Sequence, residues 1–135
     1  MEILLVDDSR VTTLIIGDIL KRKDITIKLT VINDGEKALN YLYKTGPFHN
    51  AADPDLIILD LNLPKINGLE LLKDIKKDKQ LKKIKVVMLT ASEEEIDRYN
   101  AFKFGATDFY VKPFDYADYE KIIDRFVAVV AGKAY

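Results

Sequence analysis

Cysteine is absent from this chain of 135 residues, which excludes disulfides and thiolate metal sites and leaves the fold to be held by its core. The single histidine, His49, lies in a loop and lacks partners for a metal cluster or a Ser-His-Asp triad; its loop position makes it solvent-facing and gives it no phosphohistidine role. No apolar run approaches the roughly 20 residues that cross a bilayer. The start, from Met1 to Asp8, holds only a few apolar residues that end on two acids, unlike a signal peptide. Neither sign of charge dominates: 21 basic against 22 acidic side chains give a net charge of −1, so bulk attraction to nucleic acid is not indicated. The lysines from Lys73 to Lys85 interleave with Asp74 and Asp78 and read as a solvated helix and loop. A cytoplasmic protein with no membrane and no direct nucleic-acid contact is expected.

What is present is a globular composition, 48% hydrophobic and 32% charged, in a length that fits one domain over residues 1 to 135. Short apolar runs at 3 to 6, 27 to 32, 56 to 59, 86 to 89 and 109 to 111 read as strands. Amphipathic segments at about 10 to 22, 35 to 45, 68 to 78, 93 to 104 and 115 to 131 read as helices between and after them. Strict alternation of strand and helix implies an α/β fold, a doubly wound five-stranded parallel sheet with five helices. The unbroken apolar runs Leu56 to Leu59 and Val86 to Leu89 suit central strands buried on both faces. The second strand alternates, Ile27, Leu29 and Val31 against Thr26, Lys28 and Thr30, and suits an edge. Ser92 followed by Glu95 has capping-box spacing, and Gly46 and Gly105 stand where left-handed helix ends are expected. Residues 44 to 54 read as a loop, rich in turn formers and without periodicity.

Three carboxylates carry the chemistry. Asp7 and Asp8 follow the first strand and Asp60 follows the third, so all fall at strand C-terminal ends, where open parallel sheets bind ligands. With strand order 2-1-3-4-5 the first and third strands are neighbours, and the three acids come together. Two unit charges about 4 Å apart repel by roughly 4 kcal/mol at an effective dielectric of 20, so such a cluster calls for a cation. Oxygen donors select a hard ion such as Mg2+, which keeps places for waters and phosphate oxygens. Taken singly, Asp7 and Asp8 could be helix caps and Asp60 a turn residue, but Asp60 ends a fully apolar strand.

These residues resemble the response-regulator receiver family, with a flavodoxin-like fold, over essentially the whole chain. The resemblance rests on Leu5-Val6-Asp7-Asp8-Ser9, the run from Asp55 to Pro64, Asn67-Gly68, Leu89-Thr90-Ala91 and Val111-Lys112-Pro113-Phe114, in order and at strand ends. It implies that Asp60 is the phosphoacceptor, that Asp7, Asp8, Asp60 and the backbone carbonyl of Asn62 hold Mg2+, and that Thr90 and Lys112 contact the phosphoryl group. It also implies a cis Lys112-Pro113 bond, and a switch in which Thr90 turns toward the phosphoryl group while Phe109 rotates inward. Asn62 and Ser92 flank the site and are expected to tune the lifetime of the phosphorylated state. An ionised aspartate needs no general base to attack phosphorus; the metal and Lys112 stabilise the transferring charge.

The loop at 44 to 54 and the run Leu59 to Lys65 resemble the single-domain regulators paired with bacterial phytochromes. A phytochrome-type sensor histidine kinase is then the expected donor, and an unidentified protein the expected reader. No output domain is expected after the fifth helix. The last helix carries Ile122, Ile123, Phe126, Val127 and Val130 on one stripe, which could also serve a homodimer. Two other readings stay open on residues alone. A haloacid-dehalogenase-type phosphatase would also use an Asp nucleophile and Mg2+, but with an acid two positions after it at the first strand, where Asp7 is followed by Ser9. A binding module independent of phosphorylation could use the same fold.

Overall fold

The structure, a computed structural model, describes residues 1–23 and 26–132. Strands β1 (Glu2–Val6), β2 (Lys28–Ile32), β3 (Leu56–Leu59), β4 (Lys85–Thr90) and β5 (Asp108–Val111) alternate with helices α1 (Arg10–Lys23), α2 (Gly35–Leu42), α3 (Gly68–Lys77), α4 (Glu95–Lys103) and α5 (Tyr116–Val130). All strand pairs are parallel in the order β2-β1-β3-β4-β5. The period of two along each strand divides the core. Leu4, Val6, Ile57, Leu59, Val86 and Met88 face Ala38 and Leu42 of α2, Leu71, Leu72 and Ile75 of α3, and Ala101 of α4. Ile3, Leu5, Leu56, Ile58, Val87 and Leu89 face Ile16, Ile19 and Leu20 of α1 and Ile123 and Phe126 of α5. The sheet is thus covered on both sides, which is why its central strands lack polar alternation.

β2 lies at an edge, as its alternation suggests, and Val31 there remains 44% exposed. Helix ends differ in instructive ways. α2 stops at Leu42 because Lys44 turns left-handed at φ 57°, and Gly46, also left-handed, opens a short 3-10 turn over Gly46–Phe48. Phe48 there packs edge-on against Tyr41, ring centres 5.4 Å apart, so the loop is folded back onto α2. Gly105 ends α4 at φ 108°, as expected. Ser92 does not form the expected capping box: α4 begins after Glu94, and the Ser92 hydroxyl reaches Asp97 instead. On α5, Ile122, Ile123 and Phe126 of the expected stripe are buried, Val127 and Val130 pack against them half-buried, and Val129 is buried as well. Every peptide bond among the described residues is trans, so Lys112 is aimed without a cis proline; its backbone N–H donates to Thr90 O at 2.7 Å and fixes the strand tip.

Two close approaches place the chain around the third strand's end. A Cβ on Gly68 would stand 2.1 Å from the Asp60 carbonyl oxygen and 2.7 Å from Leu61 Cα, so α3 can start against that turn only with glycine there. The neighbouring Asn67 caps α3, its side-chain oxygen accepting from the Glu70 N–H at 3.0 Å. Asn67→Ala should cost about 1 kcal/mol, the usual worth of such a cap, read as a lower denaturant midpoint at unchanged slope.

Candidate functional site

The parallel register pairs Val6 with Leu59, so the residues that follow them, Asp7 and Asp60, emerge side by side at the C-terminal edge of the sheet. The Asp60 N–H donates to Val6 O and the Asp7 N–H to Ile32 O, both at 3.0 Å, which holds the backbone of both acids in the ladder. Asp7 and Asp60 are buried, at 1% and 4% exposure, while Asp8 faces solvent. One carboxylate oxygen from each of the three lies within 4.8 Å of the others. That spacing is close enough for the three side chains to close on one hard cation, which takes oxygen ligands at about 2.1 Å.

Lys112 reaches into this cluster from the end of β5. Its ammonium lies 2.9 Å from Asp7 Oδ2 and 3.1 Å from Asp60 Oδ2. The remaining oxygens take backbone donors: Asp7 Oδ1 accepts from the Ser9 N–H at 2.8 Å, and Asp60 Oδ1 from the Asn62 N–H at 3.2 Å. Asp7 Oδ2 is buried without a well-aligned hydrogen-bond donor, and the Lys112 ammonium faces it as a point charge. A buried oxygen held by a point charge and not by an aligned donor suits a metal ligand, because a cation's field, unlike a hydrogen bond, has no preferred direction of approach. The three acids therefore fit a divalent ion.

The electrostatics agree. Burial pushes the Asp7 carboxyl above the ordinary carboxylate range; the Lys112 ammonium and the Ser9 N–H pull it down, Asp60 pushes it up, and the balance is a raised value. A carboxyl raised by folding contributes stability only while protonated, and loses it as pH rises through the raised value. Ionising Asp7 thus weakens the fold, and a bound cation would relieve that cost. Burial lowers Lys112, but the two carboxylates outweigh burial and hold its ammonium above the usual lysine range.

Thr90 ends β4, wholly buried, its Oγ1 accepting a long 3.4 Å hydrogen bond from the Ser92 N–H. Its carbonyl meets the Lys112 N–H, which ties the two neighbouring strand ends together. Phe109 lies apart from the carboxylates, 3% exposed in the core on the α2, α3 and α4 side, so its ring already points inward in this structure. Arg98 of α4 donates to the Phe109 carbonyl at 3.3 Å. His49 is exposed, with Nδ1 3.3 Å from Gly46 O, far in sequence from every site residue. Sequence reading missed three contributors: the Ser9 amide on Asp7, the Gly68 contact with the Asp60 carbonyl, and the Ser92–Asp97 pair. Gly68 stood in a quoted motif, but its contact across the loop is tertiary.

A family model described as the response regulator receiver domain matches residues 3–124. The response regulator Rcp1 of Synechocystis sp. is 36% identical over 121 residues, covering 90% of this chain and 82% of that protein. The crystal structure of the Mn2+-bound form of Rcp1 superposes with a TM-score of 0.88 at 35% identity, over 94% of this chain and 91% of that one. The phosphorylated cyanobacterial phytochrome response regulator RcpA gives a TM-score of 0.92 at 32% identity, covering 99% and 96%. The Escherichia coli transcriptional regulator CpxR is 36% identical over 114 residues; 84% of this chain is matched, but only 44% of CpxR.

Proposed function

Because the chain belongs to the response regulator receiver domain family, we propose that Asp60 is its phosphoacceptor and that Asp7, Asp8, Asp60 and the Asn62 carbonyl hold Mg2+ beside it. The observation that carries this reading is the convergence of three carboxylates from two adjacent strand ends onto one point, with the Lys112 ammonium between two of them. Receiver domains bind divalent metal, and the choice of Mg2+ follows from the all-oxygen donor set.

An Asp60 carboxylate oxygen attacks the phosphorus of a kinase phosphohistidine; the new P–O bond forms as the P–N bond breaks, and the released imidazole nitrogen carries the departing electron pair. The bound cation would neutralise charge on the transferring oxygens. Lys112, already 3.1 Å from Asp60 Oδ2, is placed to move from that carboxylate to a phosphoryl oxygen. The Asn62 N–H keeps Asp60 Oδ1 oriented, and the Thr90 hydroxyl supplies a further donor once it leaves Ser92. Phe109, on β5 beside β4, is assigned the role of relaying the change toward α4, whose Arg98 bonds its carbonyl.

The donor is a sensor histidine kinase, of the phytochrome-coupled type that the name of RcpA suggests, meeting this chain in the cytoplasm. The reader is a further protein or a second copy of this chain. Among the described residues no helix is long and apolar enough to cross a membrane. Val11 and Leu14 on α1 and Phe114 after Lys112 are highly exposed apolar side chains close in sequence to the site, which suits the approach of a partner. The protein acts as a phosphoacceptor switch that assists its own labelling and hydrolysis.

Mg2+ should raise the melting temperature in proportion to the logarithm of its concentration, by the equivalent of about 2.7 kcal/mol at a hundred times its Kd. Asp7→Asn should abolish that rise while itself tolerating heat, since it removes a buried charge. Chelation with EDTA should slow labelling by acetyl phosphate about 100-fold, followed by intact mass. A melting curve indifferent to Mg2+, or labelling that proceeds fully in EDTA, would overturn the metal assignment.

A further inference from the structure

Asp97 is a residue that the phosphorylation chemistry leaves unused, yet a chain of hydrogen bonds leads from it to the site. The Ser92 hydroxyl donates to Asp97 Oδ2 at 2.5 Å and accepts from the Glu94 N–H at 3.2 Å. The Ser92 N–H in turn reaches Thr90 Oγ1 at 3.4 Å. The Thr90 hydroxyl, the turn from Ala91 to Glu94 and the first turn of α4 are thus joined through one serine. The bond to an ionised acceptor is the strong member of this series, and the long contact with Thr90 is the weak one. Asp97 also closes a groove of about 210 Å3 with Leu61, Asn62 and Asn67, so the same carboxylate borders the loop that follows Asp60.

We propose that Asp97 is a positioning residue for the Asp60 site: through Ser92 it fixes the turn that holds Thr90, so that a movement of the Thr90 hydroxyl is passed to the first turn of α4. The inference rests on the reading that Asp60 is phosphorylated, and it adds the route by which that event reaches α4. The strong Ser92–Asp97 bond survives while the weak Ser92–Thr90 contact breaks. When the Thr90 oxygen turns away, the Ser92 N–H loses its acceptor, and the turn readjusts as a unit with the helix it is tied to. A different role for Asp97 would be purely local, an acid in the first turn of α4 favoured by the helix dipole. That role depends on charge alone and gives Ser92 no part.

The test uses nitrogen-15-labelled protein treated with acetyl phosphate and Mg2+, with the labelled fraction taken from intact mass. In the wild type, the backbone amide signals of Arg98, Tyr99 and Phe102 should shift in step with labelling. In Asp97→Ala and in Ser92→Ala those shifts, compared at equal labelled fraction, should fall at least about threefold. Asp97→Asn, whose amide oxygen still accepts from Ser92, should keep most of the effect. The double variant Ser92→Ala/Asp97→Ala should lose no more than either single one, because both changes cut the same link. Shifts of wild-type size in Ser92→Ala or in folded Asp97→Ala overturn the proposal. So does a loss in Asp97→Asn equal to that in Asp97→Ala, which would assign the effect to charge. No added phosphoryl mass in the wild type would overturn the phosphorylation reading itself.

Discussion

Wild-type protein mixed with acetyl phosphate and Mg2+ gains the mass of one phosphoryl group, and Asp60→Asn gains none. The expected loss is complete, because an amide oxygen is a far weaker nucleophile than a carboxylate and no other acid is placed to substitute. Asp7 lies beside Asp60, but burial and the Lys112 ammonium hold it inward, and Asp8 faces solvent. The substitution is conservative for the fold: Asn keeps an oxygen for the Asn62 N–H, and Lys112 retains Asp7 at 2.9 Å. A far-ultraviolet spectrum like that of the wild type should accompany the loss. Labelling of Asp60→Asn to the wild-type extent would mean that phosphorus is captured elsewhere, and the site would have to be reassigned. Lys112→Met is expected to label slowly rather than not at all, since the cation and the nucleophile remain.

Gly68→Ala should be a severely damaging single-methyl change that also disturbs the site. The added Cβ would stand 2.1 Å from the Asp60 carbonyl oxygen and 2.7 Å from Leu61 Cα, both main-chain atoms that cannot rotate away. Either α3 retreats from the end of β3 or the Asp60 turn is pushed outward. We expect about 3 kcal/mol of destabilisation, the upper part of the range for overpacking. Labelling of the folded fraction should also slow by about 100-fold, because a displacement near 1 Å at a reacting group has that effect. Gly17→Ala is the control. Its Cβ would meet only Leu29 Cδ2 at an ordinary 3.8 Å, and the site is inside α1, so alanine should stabilise the protein by about 0.5 to 1 kcal/mol. Denaturant midpoints measured side by side check both signs. Equal stability of the two variants would refute the packing argument.

Much of this site was legible in one dimension because a parallel sheet converts sequence position into spatial position. A residue that follows an apolar strand lies at the C-terminal edge, so Asp7, Asp60, Thr90 and Lys112 could be assigned to one edge from strand limits alone. Their mutual distances depended on β1 and β3 being neighbours, which the register of Val6 with Leu59 establishes. The capping-box reading of Ser92 failed for a related reason. Spacing offered Glu95, but α4 starts two residues later than that pattern needs, and the hydroxyl found the Asp97 carboxylate. Likewise Lys44, with a side chain that gives no hint of a left-handed backbone, ended α2 early.

The alternation of strands and helices, the burial of the central strands on both faces and the presence of acids at strand ends were determined by the chain of residues itself, because periodicity and local end signals act over a few neighbours. The placement of Lys112 between two carboxylates, the burial of Asp7 Oδ2 against that ammonium, the glycine contact under Asp60 and the link from Thr90 through Ser92 to Asp97 were decided only on folding. Three of them join groups more than fifty residues apart or across separate elements, and the fourth turns on where one helix begins. Side-chain direction and strand adjacency, which no local pattern encodes, set those distances.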